Sequence, residues 1–129
     1  ILNFDPSVTN LEDKYNYAKT IFDVQWKLNL AGFTPKPLEI LKCHDSQTFY
    51  HAIEMQNIKG KFVQPDDGWI EKLVSYCREN GITRTEPRKV LQGARGWSVS
   101  DDCVPKNCIE MDGNIYLVDI DYKWMLLDA

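Results

Sequence analysis

Residues 108–124 have the sequence CIEMDGNIYLVDIDYKW, in which two largely apolar runs flank the pair Asp112-Gly113. An Asp-Gly pair between two such runs is the strongest short-range signal of a β-hairpin, because the tight turn needs positive φ angles. Isoleucine, valine and the aromatic residues of these runs also favour strands. This segment therefore predicts a C-terminal β-hairpin with arms Cys108–Met111 and Asn114–Trp124.

Two long segments before the hairpin carry apolar residues at three- and four-residue spacing, which is typical of amphipathic helices. The first runs from Thr9 to Ala31, and Thr9 and Glu12 have the spacing of a capping box. The second runs from Gly68 to Asn80. It follows Asp66, which can cap its first turn, and it precedes Gly81, a suitable residue to end it.

The remaining segments give weaker signals. Leu38–Cys43 alternates enough for a short strand, and Asp45 or Ser46 can cap a helix that continues to about Ile58. Lys61–Gln64 is predicted to be a brief extended piece, and a further short helix is predicted near Pro87. The expected fold class is α+β, a single domain over residues 1–129 with about three to four helices, short strands and a C-terminal β-hairpin.

The composition is that of an ordinary folded domain, with 129 residues of which 43% are hydrophobic and 26% charged. No apolar run approaches the roughly 20 residues of a membrane span, so no membrane partner is expected. Four cysteines are too few for a disulfide scaffold. The chain opens with Ile1 instead of Met and has no basic segment typical of a secretory signal. We therefore expect a processed product or a piece of a longer protein, and its compartment stays open.

Charge is distributed unevenly along the chain although the formal net charge is only −4. Residues 101–129 contain seven acidic and two basic residues, whereas residues 78–95 contain five basic and two acidic ones. Such a basic segment can contact an acidic partner surface. The candidate binding residues are Arg84, Arg88, Lys89, Arg95 and Trp97.

A nucleic-acid partner is one alternative for this basic segment. The helix that ends at Asn80, a short helix and a terminal hairpin follow the order of a winged-helix-like domain, in which the same basic residues would contact phosphates. The hairpin that would form the wing is acidic and would repel the phosphate backbone. A module of this kind that faces a protein avoids that repulsion.

Acidic and basic residues on the hairpin suggest a second alternative. Asp119, Asp121 and Lys123 alternate along the second arm, so on a strand they share one face, and Glu110 lies on the first arm. This pattern resembles the metal-binding core of the PD-(D/E)xK nucleases. The resemblance implies that Glu110 and Asp121 are ligands for Mg²⁺ or Mn²⁺ and that Lys123 polarises or deprotonates the attacking water. Asp119, on the same strand face as Asp121, is a further candidate ligand in this alternative. The same alternation is also typical of a solvated strand face.

No complete set of catalytic residues is evident elsewhere in the sequence. Cys103 and Cys108 are candidate nucleophiles and His44 and His51 candidate bases, but no local signature joins them. The leading hypothesis is therefore a non-enzymatic protein-binding module that needs no cofactor and that recognises its partner through the basic segment Arg84–Arg95 or through the acidic hairpin. A metal-dependent nuclease or phosphodiesterase and a winged-helix-like nucleic-acid-binding domain remain the alternatives.

Overall fold

A computed structural model describes residues 11–44, 49–84, 99–120 and 124–126. These residues form two α-helices, seven short strands and two 3₁₀ turns. The helices are α1 (Leu11–Leu30) and α2 (Asp67–Glu79), and the 3₁₀ turns are Val99–Asp102 and Pro105–Asn107. The strands are β1 (Pro37–His44), β2 (Phe49–Met55), β3 (Lys61–Phe62), β4 (Ile82–Arg84), β5 (Cys108–Met111), β6 (Asn114–Leu117) and β7 (Trp124–Leu126). No helix among them is long and apolar enough to cross a membrane.

The strands of the described residues pair into three small sheets, all antiparallel. β1 and β2 form a hairpin that packs against α1. β5 lies between β3 and β6 in a three-stranded sheet, and β4 pairs with β7. The fold class is therefore mixed α+β, as predicted.

The prediction of about three to four helices is wrong, because the described part of the chain contains two α-helices. Within the segment expected to be helical up to Ile58, residues Phe49–Met55 form strand β2, which pairs with β1 in the register Lys42↔His51 and Ile40↔Ile53. A short apolar run does not distinguish a helix from a strand by its periodicity. Pairing with β1 and packing against α1 decide in favour of the strand. The short helix predicted near Pro87 lies outside the described residues.

Both ends of helix α2 lie within one residue of where the sequence predicts them. The backbone N–H of Trp69 donates to Oδ1 of Asp66 at 2.8 Å, which is the predicted N-cap. The helix ends at Asn80, and Gly81 follows with a φ of +67°, a conformation that glycine adopts without steric cost. Helix α1 is observed over Leu11–Leu30, and the predicted capping residue Thr9 lies outside the described residues.

The C-terminal hairpin is present, with Asp112 and Gly113 at φ angles of 52° and 81° in its turn. Its second arm ends at Leu117 and not at Trp124 as predicted. The backbone N–H of Leu117 donates to the Phe33 carbonyl at 2.7 Å, so this edge of β6 meets the loop after α1. Trp124 instead belongs to β7, where it pairs with Arg84.

The described elements share one hydrophobic core. Helix α1 contributes one face, α2 contributes two residues, and the sheets close the opposite side. The completely buried members are Ala18, Val24, Leu28, Leu73, Cys108, Leu117 and Trp124.

Buried polar groups shape the connection between α1 and β1. The Gln25 side chain donates from Nε2 to the Pro35 carbonyl at 3.0 Å, and the Thr34 hydroxyl donates to the Gln25 carbonyl at 3.0 Å. Asn29 donates from Nδ2 to the Thr34 carbonyl at 2.9 Å. Since each of these carbonyls has a partner, the loop can cross the interior without leaving buried polar groups unsatisfied. The loop thereby holds Pro35 in one position.

Candidate functional site

The two faces of the β3–β5–β6 sheet follow from its register. Cys108 lies opposite Leu117, and both are completely buried, so their face is directed at the core. Side chains alternate along a strand. Ile109, which lies opposite both Phe62 and Tyr116, is therefore on the outward face.

The outward face of this sheet is apolar. Phe62 is 60% exposed, and Ile109, Met111 and Tyr116 are partly exposed. We call these four residues the apolar face. Isolated exposed apolar residues are ordinary in folded proteins, but adjacent ones on a flat sheet are typical of interaction sites. The apolar face is therefore the candidate site for a partner.

A groove adjoins the apolar face at Ile109. Its volume is about 410 Å³, and none of its lining residues is charged; they are Pro35, Met55, Gln56, Asn57, Ile58, Ile109 and Val118. The Gln25 side chain contacts two walls of the groove, because Nε2 donates to the Pro35 carbonyl and lies 3.8 Å from Sδ of Met55. The groove is thus built on a buried support.

Gly60 allows β3 to approach β5. A Cβ atom at Gly60 would lie 1.9 Å from the Glu110 carbonyl oxygen and 2.9 Å from Cγ2 of Ile109. Neither distance is compatible with a side chain, so only glycine permits this packing. Gly60 thereby places Phe62 beside Ile109 on the apolar face.

A second, more open cavity lies between α2 and the loop that follows α1. It has a volume of about 590 Å³ and is lined by Phe33, Tyr76 and several polar or charged residues of α2. The Phe33 ring contacts Tyr76 and Trp69 at centroid distances of 5.5 and 5.7 Å. The Tyr76 hydroxyl donates to the Lys27 carbonyl. These contacts indicate a packing role for the aromatic residues of this cavity.

The structure places the predicted metal ligands apart from one another where it describes them. Glu110 lies on the core-directed face of β5, opposite Lys61, and is half-buried. Asp119 is exposed and lies beyond the end of β6. Asp121 and Lys123 are outside the described residues. Within the described ranges, no group of three or more His, Cys, Asp or Glu side chains could hold a metal ion.

Arg84, the first of the predicted basic binding residues, lies in the interior. Its side chain is 6% exposed, and Nε is 2.7 Å from Oδ2 of Asp102. The same oxygen accepts a hydrogen bond from Nε1 of Trp124 at 2.7 Å. Arg84 thus joins β4 to β7 and the first 3₁₀ turn, and we do not include it in the candidate surface. Arg88, Lys89, Arg95 and Trp97 lie outside the described residues.

Three of the four cysteines are buried and their thiols are hard to ionise. Burial raises the pKa of Cys77 and of Cys103 to about 12 and that of Cys108 to about 11. Nearby Asp102 adds to the effect at Cys103 and Cys108. A nucleophilic thiol requires a lowered pKa, so Cys103 and Cys108 have the properties of structural cysteines.

The histidines do not form a pair with either candidate nucleophile. His44 is exposed at the end of β1, whereas His51 is buried in β2 beneath the ring of Tyr15, at a centroid distance of 5.8 Å. Burial lowers the pKa of His51, and the positive charges of Lys42 and Lys14 lower it further. At neutral pH His51 is therefore an uncharged packing residue.

No protein-family model matches the chain, and neither a curated protein nor a solved structure matches it significantly. Function is therefore inferred from the geometry of the described residues. The sequence pattern did not indicate the apolar face, because β3, which contributes Phe62, contains only two residues and is too short to show an alternation. The available signal was that apolar residues occupy both faces of the arm Cys108–Met111.

Proposed function

We propose that this chain is a non-enzymatic protein-binding module and that its partner binds on the apolar face. The observation that carries the proposal is the row Phe62, Ile109 and Tyr116 across three strands, with Phe62 60% exposed at its end. Aromatic residues and methionine are enriched in the buried centres of protein interfaces. Met111 adds a side chain that adapts its shape to a partner.

The chemistry of the described residues supports binding in preference to catalysis. The buried thiols are protonated at neutral pH, and His51 is enclosed. The carboxylate of Glu110 lies on β5, whereas that of Asp119 lies beyond the end of β6. Binding on the apolar face requires none of these groups. It requires only that the sheet hold the four side chains in place.

Substitution of Phe62 by Asp tests the proposal. The tagged chain is used to capture proteins from the source cells, and the captured proteins are quantified by mass spectrometry. The identified partner is then purified and its Kd is measured by calorimetry. A charge buried in an apolar interface must be desolvated on binding, so we expect Phe62→Asp to weaken binding by roughly a hundredfold.

Leu30→Asp is the matched control, because Leu30 is 77% exposed on α1 and lies outside the apolar face. Thermal unfolding and circular dichroism verify that both variants fold. Equal loss of the partner in both variants, or no loss in either, would contradict the proposal. Saturable Mn²⁺ binding that Glu110→Gln abolishes would instead favour the metal-dependent nuclease.

A further inference from the structure

We infer that the partner is a short, uncharged peptide segment that places an apolar side chain in the groove beside Ile109. The inference rests on the proposed function and goes further by naming the kind of partner. It combines the size of the apolar face, the chemistry of the groove and the way the interior supports it.

The apolar face is smaller than the surface that a folded partner usually covers. Aromatic side chains cover roughly 150–250 Å² each, and Phe62 is 60% exposed. With three partly buried neighbours, the face therefore offers on the order of 300 Å². A standard protein–protein interface takes about 800 Å² from each partner. A second copy of this chain or another folded domain would have to cover polar surface around the face as well to reach that area, whereas a short peptide would not.

The groove selects an uncharged occupant. Its volume of about 410 Å³ is lined by Pro35, Met55, Ile58, Ile109 and Val118 together with two amide side chains. With no charged group in the lining, a charged side chain would lose its hydration without gaining a partner. A leucine, methionine or aromatic side chain would gain free energy from the same burial.

Asn57 supplies polar recognition at the groove. Its side chain is exposed, and within the described residues it makes no hydrogen bond. A primary amide offers both a donor and an acceptor, which is the pair that a peptide backbone requires. The neighbouring Gln56 is already engaged, since its backbone N–H donates to the Lys36 carbonyl at 2.8 Å and its Oε1 accepts from the Lys36 N–H at 3.4 Å.

The groove is formed before any partner binds. Gln25 contacts Pro35 and Met55 from the buried side, and Gly60 allows β3 to pack directly against Glu110 and Ile109. Walls that are already ordered lose little conformational entropy on binding. This preorganisation allows a short peptide to bind through a small area.

The test is a selection from a library of random short peptides displayed on phage, with the complete chain as the target. The most enriched peptide is synthesised with both ends blocked, and its Kd is measured by fluorescence anisotropy. We expect enriched peptides to share an apolar residue with uncharged neighbours. Backbone amide resonances of Asn57, Ile58 and Ile109 should shift when the peptide is added.

Two groove variants separate this inference from the proposed function. Ile58→Asp should weaken peptide binding more than tenfold, because a buried charge would face an apolar anchor, and Ile58→Val should change the Kd less than about threefold. Asn57→Ala should weaken peptide binding by roughly three- to tenfold, which corresponds to the net contribution of about one hydrogen bond. Thermal unfolding of each variant shows whether the fold is intact.

The outcomes are distinct. If peptide binding depends on Phe62 but not on Ile58 or Asn57, the inferred role of the groove is wrong and the apolar face remains the binding site. An empty selection, or enrichment of charged peptides, would also overturn the inference, and the capture experiment with Phe62→Asp would then decide the proposed function alone.

Discussion

Arg84 and Asp102 form a buried ion pair, with Nε and Oδ2 separated by 2.7 Å and side chains 6% and 14% exposed. The same carboxylate oxygen accepts from Trp124 Nε1, so one acid connects β4, β7 and the turn Val99–Asp102. Hydrogen bonds in which one partner is ionised are shorter and stronger than neutral ones. This pair joins the β4–β7 sheet to the turn Val99–Asp102.

Removal of Asp102 should therefore destabilise the fold. We expect Asp102→Ala to lower the free energy of unfolding by about 3–5 kcal/mol, because the guanidinium of Arg84 would remain buried without its carboxylate. Urea unfolding followed by tryptophan fluorescence measures the change. Asp23→Ala is the control, since Asp23 is exposed on α1. This substitution should lower the free energy of unfolding by less than about 1 kcal/mol. Equal losses in both variants would contradict a structural role for the pair.

Gly60→Ala should separate β3 from β5. The new Cβ would lie 1.9 Å from the Glu110 carbonyl oxygen. Because this oxygen belongs to the backbone, it cannot move aside without displacing β5, and we expect the free energy of unfolding to fall by about 2–4 kcal/mol. Gly68→Ala is the matched control, because the nearest atom to its new Cβ is Oδ1 of the Asp66 side chain at 3.3 Å, which has to move by only a few tenths of an ångström. That variant should change stability by less than about 1 kcal/mol. Similar melting temperatures for the two variants would exclude the close approach of β3.

The cysteines should react at very different rates in the folded chain. Cys43 is partly exposed, whereas Cys77, Cys103 and Cys108 are buried and their pKa values are raised to about 11–12. With Ellman's reagent at neutral pH, we expect Cys43 to be modified first. The other three thiols should react only as fast as the protein unfolds. Peptide mapping after partial labelling identifies the sites, and early modification of Cys103 or Cys108 would contradict the burial of their thiols.

Acid should destabilise the protein through His51. Its pKa is lowered in the folded state from the ordinary value of 6.5, so the unfolded chain binds the proton more readily. The stabilisation is complete above pH 6.5 and declines as the pH falls towards the lowered pKa. His51→Phe keeps a ring against Tyr15 and should flatten this decline between neutral pH and pH ~5. Urea unfolding of the unsubstituted chain and of His51→Phe across that range checks the prediction, and an equally steep decline in both would contradict it.

Local signals in the sequence predicted the elements whose structure depends on nearby residues. Asp66 caps α2, Gly81 ends it, and Asp112-Gly113 forms the hairpin turn, all as expected. Each of these features depends on a few consecutive backbone angles and on one side chain that satisfies a free N–H group. Such features are readable before the tertiary contacts are known.

The wrong predictions concern segments whose structure is decided by distant residues. Residues 49–55 form a strand because β1 pairs with them, and β6, which ends at Leu117, meets the loop after α1 on its other edge through the Leu117 N–H and the Phe33 carbonyl. The candidate surface belongs to the same class, since Phe62 meets Ile109 only through the pairing of β3 with β5. No local pattern contains these partners.

The sequence by itself determined the α+β class, helix α2 and the position of the hairpin turn, because propensity, capping and turn geometry act over a few residues. The tertiary structure decided which face of the hairpin is buried, where Arg84 lies and that an apolar face adjoins an uncharged groove. Those outcomes depend on strand register and core packing between segments far apart in the chain. A shift of one residue in register would exchange the two faces of the sheet.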